Sequence, residues 1–181
     1  FKKTPMNTNY RLIVFVGLHF LFTIISSLSA ETIKGKVVKV ADGDTVTIVD
    51  DKGFRYRIRL AGIDAPEKNQ SYGEESAKNL EWLIYNKEVT IEYSKYDRYE
   101  RIVGKILVNS KGDIFCLVIE CARTLDVGLD QVKAGMAWHY KRYQREQSKE
   151  DRKLYTNAEQ LAREKQLGFW KNKNPTAPWD W

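Results

Sequence analysis

The sequence predicts an α+β chain built on a small closed β-barrel of five strands, of the OB type, with about three α-helices. Three observations predict it. β-Branched runs bounded by turn residues recur between residues 32 and 108. One of them alternates strictly between apolar residues and arginine. Three further stretches carry helical spacing or helix-capping residues.

The elements follow in order. Residues 32–49 hold two β-branched runs around an Asp/Gly-rich turn, which is a strand, a turn and a strand. Lys52-Gly53 makes the next turn. In residues 54–60, Phe54, Tyr56, Ile58 and Leu60 share one face, while Arg55, Arg57 and Arg59 share the other. Residues 62–69 read as a loop. Ala77, Leu80, Leu83 and Ile84 then mark a helix over 73–84. Residues 89–93 and 102–108 complete the five strands. A short helix is expected over 126–135, with Asp126 as N-cap and Gly135 as its stop. The last helix has Ser148 as N-cap with Asp151 three residues on. Its expected apolar stripe is Leu154, Ala158, Leu161 and Ala162, and Gly168 is its expected C-cap. The tail, with Pro175 and Pro178, is irregular. No internal repeat, linker or second domain is evident.

Composition narrows the function classes. With 43% hydrophobic, 12% aromatic and 30% charged residues, the chain is neither disordered, collagen-like nor a polytopic membrane protein. Two cysteines exclude a disulfide-dense miniprotein and a four-cysteine zinc site. Lys2, Lys3 and Arg11 precede an apolar run over 12–25 and a small-residue end at Ala30. These are the parts of an export signal, expected to be cleaved after Ala30 and to leave a domain over 31–181. The product is then periplasmic or secreted; an uncleaved segment would instead be a membrane anchor, for which the run is short. Removing three basic residues and no acidic ones lowers the formal charge from +6 to +3, too little by itself to argue for a polyanionic partner. In an oxidising compartment Cys116 and Cys121 can pair across a short loop; two reduced, packed thiols are the alternative.

Three short motifs could carry chemistry. Asp42-Gly43-Asp44-Thr45 reads alone as a turn, yet alternation puts Asp42 and Asp44 on the face of Val46 and Ile48. A carboxylate aimed at a barrel interior is costly unless it is paired or holds a cation. Arg59 stands near a strand end, followed by Asp64, Pro66 and Glu67 in a loop that proline stiffens. Asp97-Arg98-Tyr99-Glu100-Arg101 opens the fifth strand, where Arg101 can reach into a cleft. Asp44, Asp64 and Glu67 together offer oxygen ligands and a base, which suits Ca²⁺ or Mg²⁺ better than zinc. Arg59 and Arg101 offer forks matched to phosphate. His139, between Trp138 and Tyr140, reads as a packing residue. Trp170, Trp179 and Trp181 are expected to clamp the tail to the barrel; stacking on bases is the alternative.

DGDT, then R-x4-D-x-P-E, then D-x-Y-x-R resembles the thermonuclease (staphylococcal nuclease) family over about residues 33–170. The resemblance implies a Ca²⁺-dependent nuclease, acting on DNA and RNA with little sequence preference and leaving 3′-phosphate ends. It implies that Asp44 and Asp64 hold the Ca²⁺ with the backbone carbonyl of Ala65, and that Asp42 lies behind them. Glu67 resembles the glutamate that orients or deprotonates the attacking water. Arg59 and Arg101 resemble the arginines on the scissile phosphate, and Tyr143 an aromatic near the nucleotide. Two departures stand out: Glu100 replaces a common glycine before Arg101, and the stretch carrying both cysteines looks like an insertion. The expected partner is DNA or RNA, with no stable membrane partner after cleavage, and the expected state is a monomer. The alternatives are a non-catalytic nucleic-acid- or protein-binding module, and a metal phosphodiesterase acting on small nucleotides.

Overall fold

The computed structural model describes residues 31–108 and 125–181. The expected export signal and the Cys116–Cys121 pair lie outside the described residues. Five strands close the barrel: β1 (Glu31–Val40), β2 (Thr45–Val49), β3 (Arg55–Leu60), β5 (Glu88–Tyr96) and β6 (Ile102–Val108). Their order is β3-β2-β1-β5-β6, and a parallel pairing of β3 with β6 shuts the cylinder. Two-residue strands β4 (Ile63–Asp64) and β8 (Trp138–His139) pair outside it, and β7 (Leu125–Asp126) extends β6. Helices α1 (Gly73–Ile84), α2 (Val127–Lys133) and α3 (Lys149–Glu164) complete the fold. The five-stranded α+β barrel is as the sequence predicts.

The core is the inward set of the alternating strands: Val37, Val46, Ile48, Ile58, Leu60, Ile91, Ile102 and Ile106 are all buried. At the β5–β6 crossing the chain needs a glycine, since a Cβ on Gly104 would stand 2.7 Å from Ile91 Cγ2 and 3.0 Å from the Glu92 carbonyl oxygen. Phe54 departs from the expected inward face and is exposed, because β3 starts one residue later, beyond the Asp50 turn.

Both predicted N-caps form: the Asp126 carboxylate accepts from Leu129 N–H and the Ser148 hydroxyl from Asp151 N–H. Gly135 ends α2 with φ +65°. The stripe of α3 is rotated from the expected one. Leu154 and Leu161 are exposed, and Tyr155, Ala158, Glu159 and Ala162 face inward. Polar anchoring decides the rotation. The Tyr155 hydroxyl donates to Asp126, 2.9 Å from both carboxylate oxygens. Glu159 accepts from His139 N–H and pairs with Lys141 at 2.7 Å. Helix α3 stops at Glu164, with Gln166 rather than Gly168 making the first left-handed turn (φ 52°).

Candidate active site

The site forms at the rim where β2 begins and β3 ends. Strand alternation puts Arg59 outward between buried Ile58 and Leu60. Unlike exposed Arg55 and Arg57, it is covered by the loop that follows. Pairing of β4 with β8, Asp64 opposite Trp138 and buried Ile63 opposite His139, fixes that loop against the body of the protein. Arg59 then binds both carboxylates at once. Its Nη1 lies 3.1 Å from Asp44 Oδ2 and its Nη2 2.6 Å from Asp64 Oδ1. Nη1 also donates to the Leu60 and Ile63 carbonyls at 3.0 and 2.9 Å, so the fork is held in one orientation.

Asp44 is buried, and it lies just before β2 rather than on its alternating face. Its Oδ2 accepts from Ala65 N–H at 2.9 Å and its Oδ1 from the Thr45 hydroxyl at 3.0 Å. The same hydroxyl accepts from Arg101 Nη1 at 3.3 Å. Thr45 therefore links the two halves of the site, a role that nothing in its sequence context signals. Asp42 Oδ1 takes the N–H of Asp44 at 3.0 Å.

One guanidinium shared between two desolvated carboxylates leaves them short of positive charge. Burial, partly offset by Arg59 and reinforced by Asp42 and Asp64, pushes Asp44 up to about 7. Burial likewise pushes Asp64 up to about 6, against the pull of Arg59, with Glu67 and Asp42 adding to the rise and Arg101 opposing it. Asp64 thus feels Arg59, Glu67, Asp42 and Arg101. Glu67 is exposed, and its backbone N–H is fixed by Gln70 Oε1 at 3.0 Å. Gly73 touches the Glu67 carbonyl so closely that a Cβ would fall 2.0 Å from its oxygen.

Arg101 is aligned by its own turn. Asp97 Oδ2 takes its Nε at 2.7 Å, and Asp97 Oδ1 takes its backbone N–H at 2.9 Å. Glu100 is exposed at φ 60°, a left-handed conformation that a glycine adopts without strain. The departure at this position is therefore one of backbone comfort: Asp97, and not Glu100, pairs with Arg101.

Gln131 escaped the sequence reading. Fully buried on α2, it donates through Nε2 to the Gly43 carbonyl at 2.7 Å and to the Ser76 carbonyl at 3.2 Å, and accepts from Asn79. It ties the turn before Asp44 to α1 and α2. Its only sequence signal is its place inside the helix expected over 126–135. Tyr143 sits half-exposed beside Lys95, whose Nζ lies 5.1 Å from the ring centre, and Tyr140. The described contacts do not join it to the carboxylate–arginine cluster. His139 is buried, with Nε2 2.8 Å from Gln147 Oε1, and burial lowers its pKa, as suits a packing residue.

The profile of the family described as "Staphylococcal nuclease homologue" matches residues 57–172. The chain belongs to the staphylococcal nuclease family. That match covers Arg59, Asp64, Glu67 and Arg101, whereas Asp44 joins the site through the contacts above. An uncharacterized endonuclease of Haemophilus influenzae is 34% identical over 94% of this chain and 85% of its own. A micrococcal nuclease of Shigella flexneri is 31% identical over 87% of this chain and 85% of its own. Protein ParB of Escherichia coli is 33% identical over 87% and 84% respectively.

Proposed function

We propose that the chain is an exported, Ca²⁺-dependent nuclease that hydrolyses phosphodiester bonds of DNA and RNA and leaves 3′-phosphate ends. The observation that carries this reading is the fork of Arg59 across Asp44 and Asp64, linked through Thr45 to a second aligned arginine. Family membership and relatives named as nucleases support the reaction class.

The donor set fits a hard cation. Asp44 and Asp64 are crowded carboxylates whose proton affinity is raised, and both are oxygen donors. Among the described residues no three acidic, histidine or cysteine side chains form a ready cage. The Ala65 carbonyl and water would complete the shell. The cation, when bound, supplies positive charge to the non-bridging phosphate oxygens.

The protein's own groups account for the rest. Arg59 and Arg101 hold the phosphate and meet the charge that builds on it. Glu67, exposed and anchored by Gln70, orients a water and receives its proton as the water oxygen bonds to phosphorus. The bond to the 5′-oxygen breaks, that oxygen takes a proton from solvent, and the phosphate stays on the 3′ side.

Digestion of single-stranded DNA with Ca²⁺ or with chelator tests this, with the product ends mapped. Cleavage only with Ca²⁺, giving 3′-phosphates, supports the proposal. Binding without cleavage in any divalent metal would overturn it in favour of a docking module. Export is tested by intact mass, which should place the exported N-terminus at or near Glu31.

A further inference from the structure

A cleft of about 1020 Å³ among the described residues is lined by none of the candidate catalytic side chains. It lies between α3, the turn at Lys141–Glu146 and the tail from residue 168 onward. Its charge is distinctive. Lys141, Arg142, Arg163, Lys171 and Lys173 line it against only Glu159 and Asp180. The lining thus carries an excess of three positive charges. Lys141 and Arg163 are engaged with Glu159 at 2.7 and 3.6 Å. Lys171 and Lys173 are exposed and form no ion pair among the described residues.

The cleft also holds aromatic faces. Trp179 is 47% exposed and stacks on Tyr140 with centroids 5.3 Å apart and planes 18° from parallel. Trp170 carries Arg163 at 4.0 Å over its ring. Asn172 and Asn174 place neutral amides, able to both donate and accept, along the same wall. Lysines with no ion pair among the described residues, beside the partly exposed Trp179 ring, suit a backbone-tracking, base-stacking ligand. A duplex hides its base faces, whereas a single strand offers them.

The cleft abuts the catalytic rim. Trp138 in its wall is the β-partner of Asp64. Gln70, which holds the N–H of Glu67, donates through Nε2 to the Thr176 carbonyl of the tail at 2.6 Å. We propose that this cleft is a second nucleic-acid site, which holds the single strand beyond the bond being cut: Lys171 and Lys173 take phosphates, and Trp179 with Tyr140 stacks a base. The identity of the ligand rests on the nuclease reading; the charge and aromatic geometry do not.

The test is fluorescence anisotropy of a labelled oligothymidylate of about 20 nucleotides, run in chelator with the full chain and with Lys171→Ala/Lys173→Ala. Both lysines are exposed and form no ion pair among the described residues, so the variant should fold, which circular dichroism checks. The expected result is about tenfold weaker binding and a salt slope (log affinity against log salt) smaller by about 1.4, or about 0.7 for each lost phosphate contact. The oligothymidylate should also quench tryptophan emission in the parent, less so in Trp179→Phe. Equal affinity and equal salt slope in the parent and the double variant would overturn the proposal. Because the assay reads binding without turnover, loss of the cleft and failure of the nuclease reading are seen separately.

Discussion

Asp44→Asn isolates the strain in the site. Burial moves Asp44 from 3.8 to about 7, so that it is only partly charged at neutral pH. That interval corresponds to at most about 4 kcal/mol above pH 7. The sign follows from linkage: the folded protein holds this proton more tightly than the unfolded chain. The contribution is therefore full below about pH 4 and is lost as pH rises through about 7. Asparagine keeps the shape without the charge, but gives up the ion pair to Arg59, which retains Asp64 at 2.6 Å. The net expectation in chelator at about pH 8 is a gain of about 1–3 kcal/mol over the parent. Urea unfolding at several pH values measures it. The parent should lose stability between about pH 4 and 8, the variant much less, and Ca²⁺ should raise only the parent's midpoint. A variant less stable than the parent at pH 8 in chelator would refute the reasoning, since the Arg59 pair would then outweigh the desolvation of Asp44.

Three further outcomes follow from packing and backbone. Gly43→Ala should destabilise by more than about 2 kcal/mol and abolish activity, because its Cβ would fall 1.8 Å from Ser76 Oγ and 2.7 Å from Ala65 Cβ; thermal unfolding checks it. Gln131→Leu should cost about 1–3 kcal/mol by stranding the Gly43 carbonyl, and should lower kcat more than it raises KM. Glu100→Gly should raise stability by about 1 kcal/mol or less, by relieving the left-handed backbone, and leave turnover unchanged, whereas Arg101→Ala should lose both phosphate affinity and rate.

The alternating run at 54–60 and the β-branched runs around it were enough to predict the barrel, because period-two burial is a local signal. The motifs around Asp44, Arg59, Asp64, Glu67 and Arg101 were legible as short strings with a family order. What joins them was not. Thr45 bridges Asp44 and Arg101 only once β2 and β6 are closed into a cylinder. Gln131 reaches Gly43 from 88 positions away. Apolar periodicity places the α3 stripe on Leu154 and Leu161, whereas the fold turns Tyr155 and Glu159 inward for their polar partners. The basic cleft depends on an irregular tail with no periodicity to read.

The most direct test of the catalytic assignment is single-turnover cleavage of single-stranded DNA in Ca²⁺ by Glu67→Gln beside the parent, with binding measured on the same samples. Glu67 is exposed and its side chain supports no other part of the fold among the described residues. The account predicts a loss of about 10²–10⁴-fold in rate with binding and thermal stability unchanged. Cleavage at the parent's rate would contradict it and remove Glu67 from the chemistry.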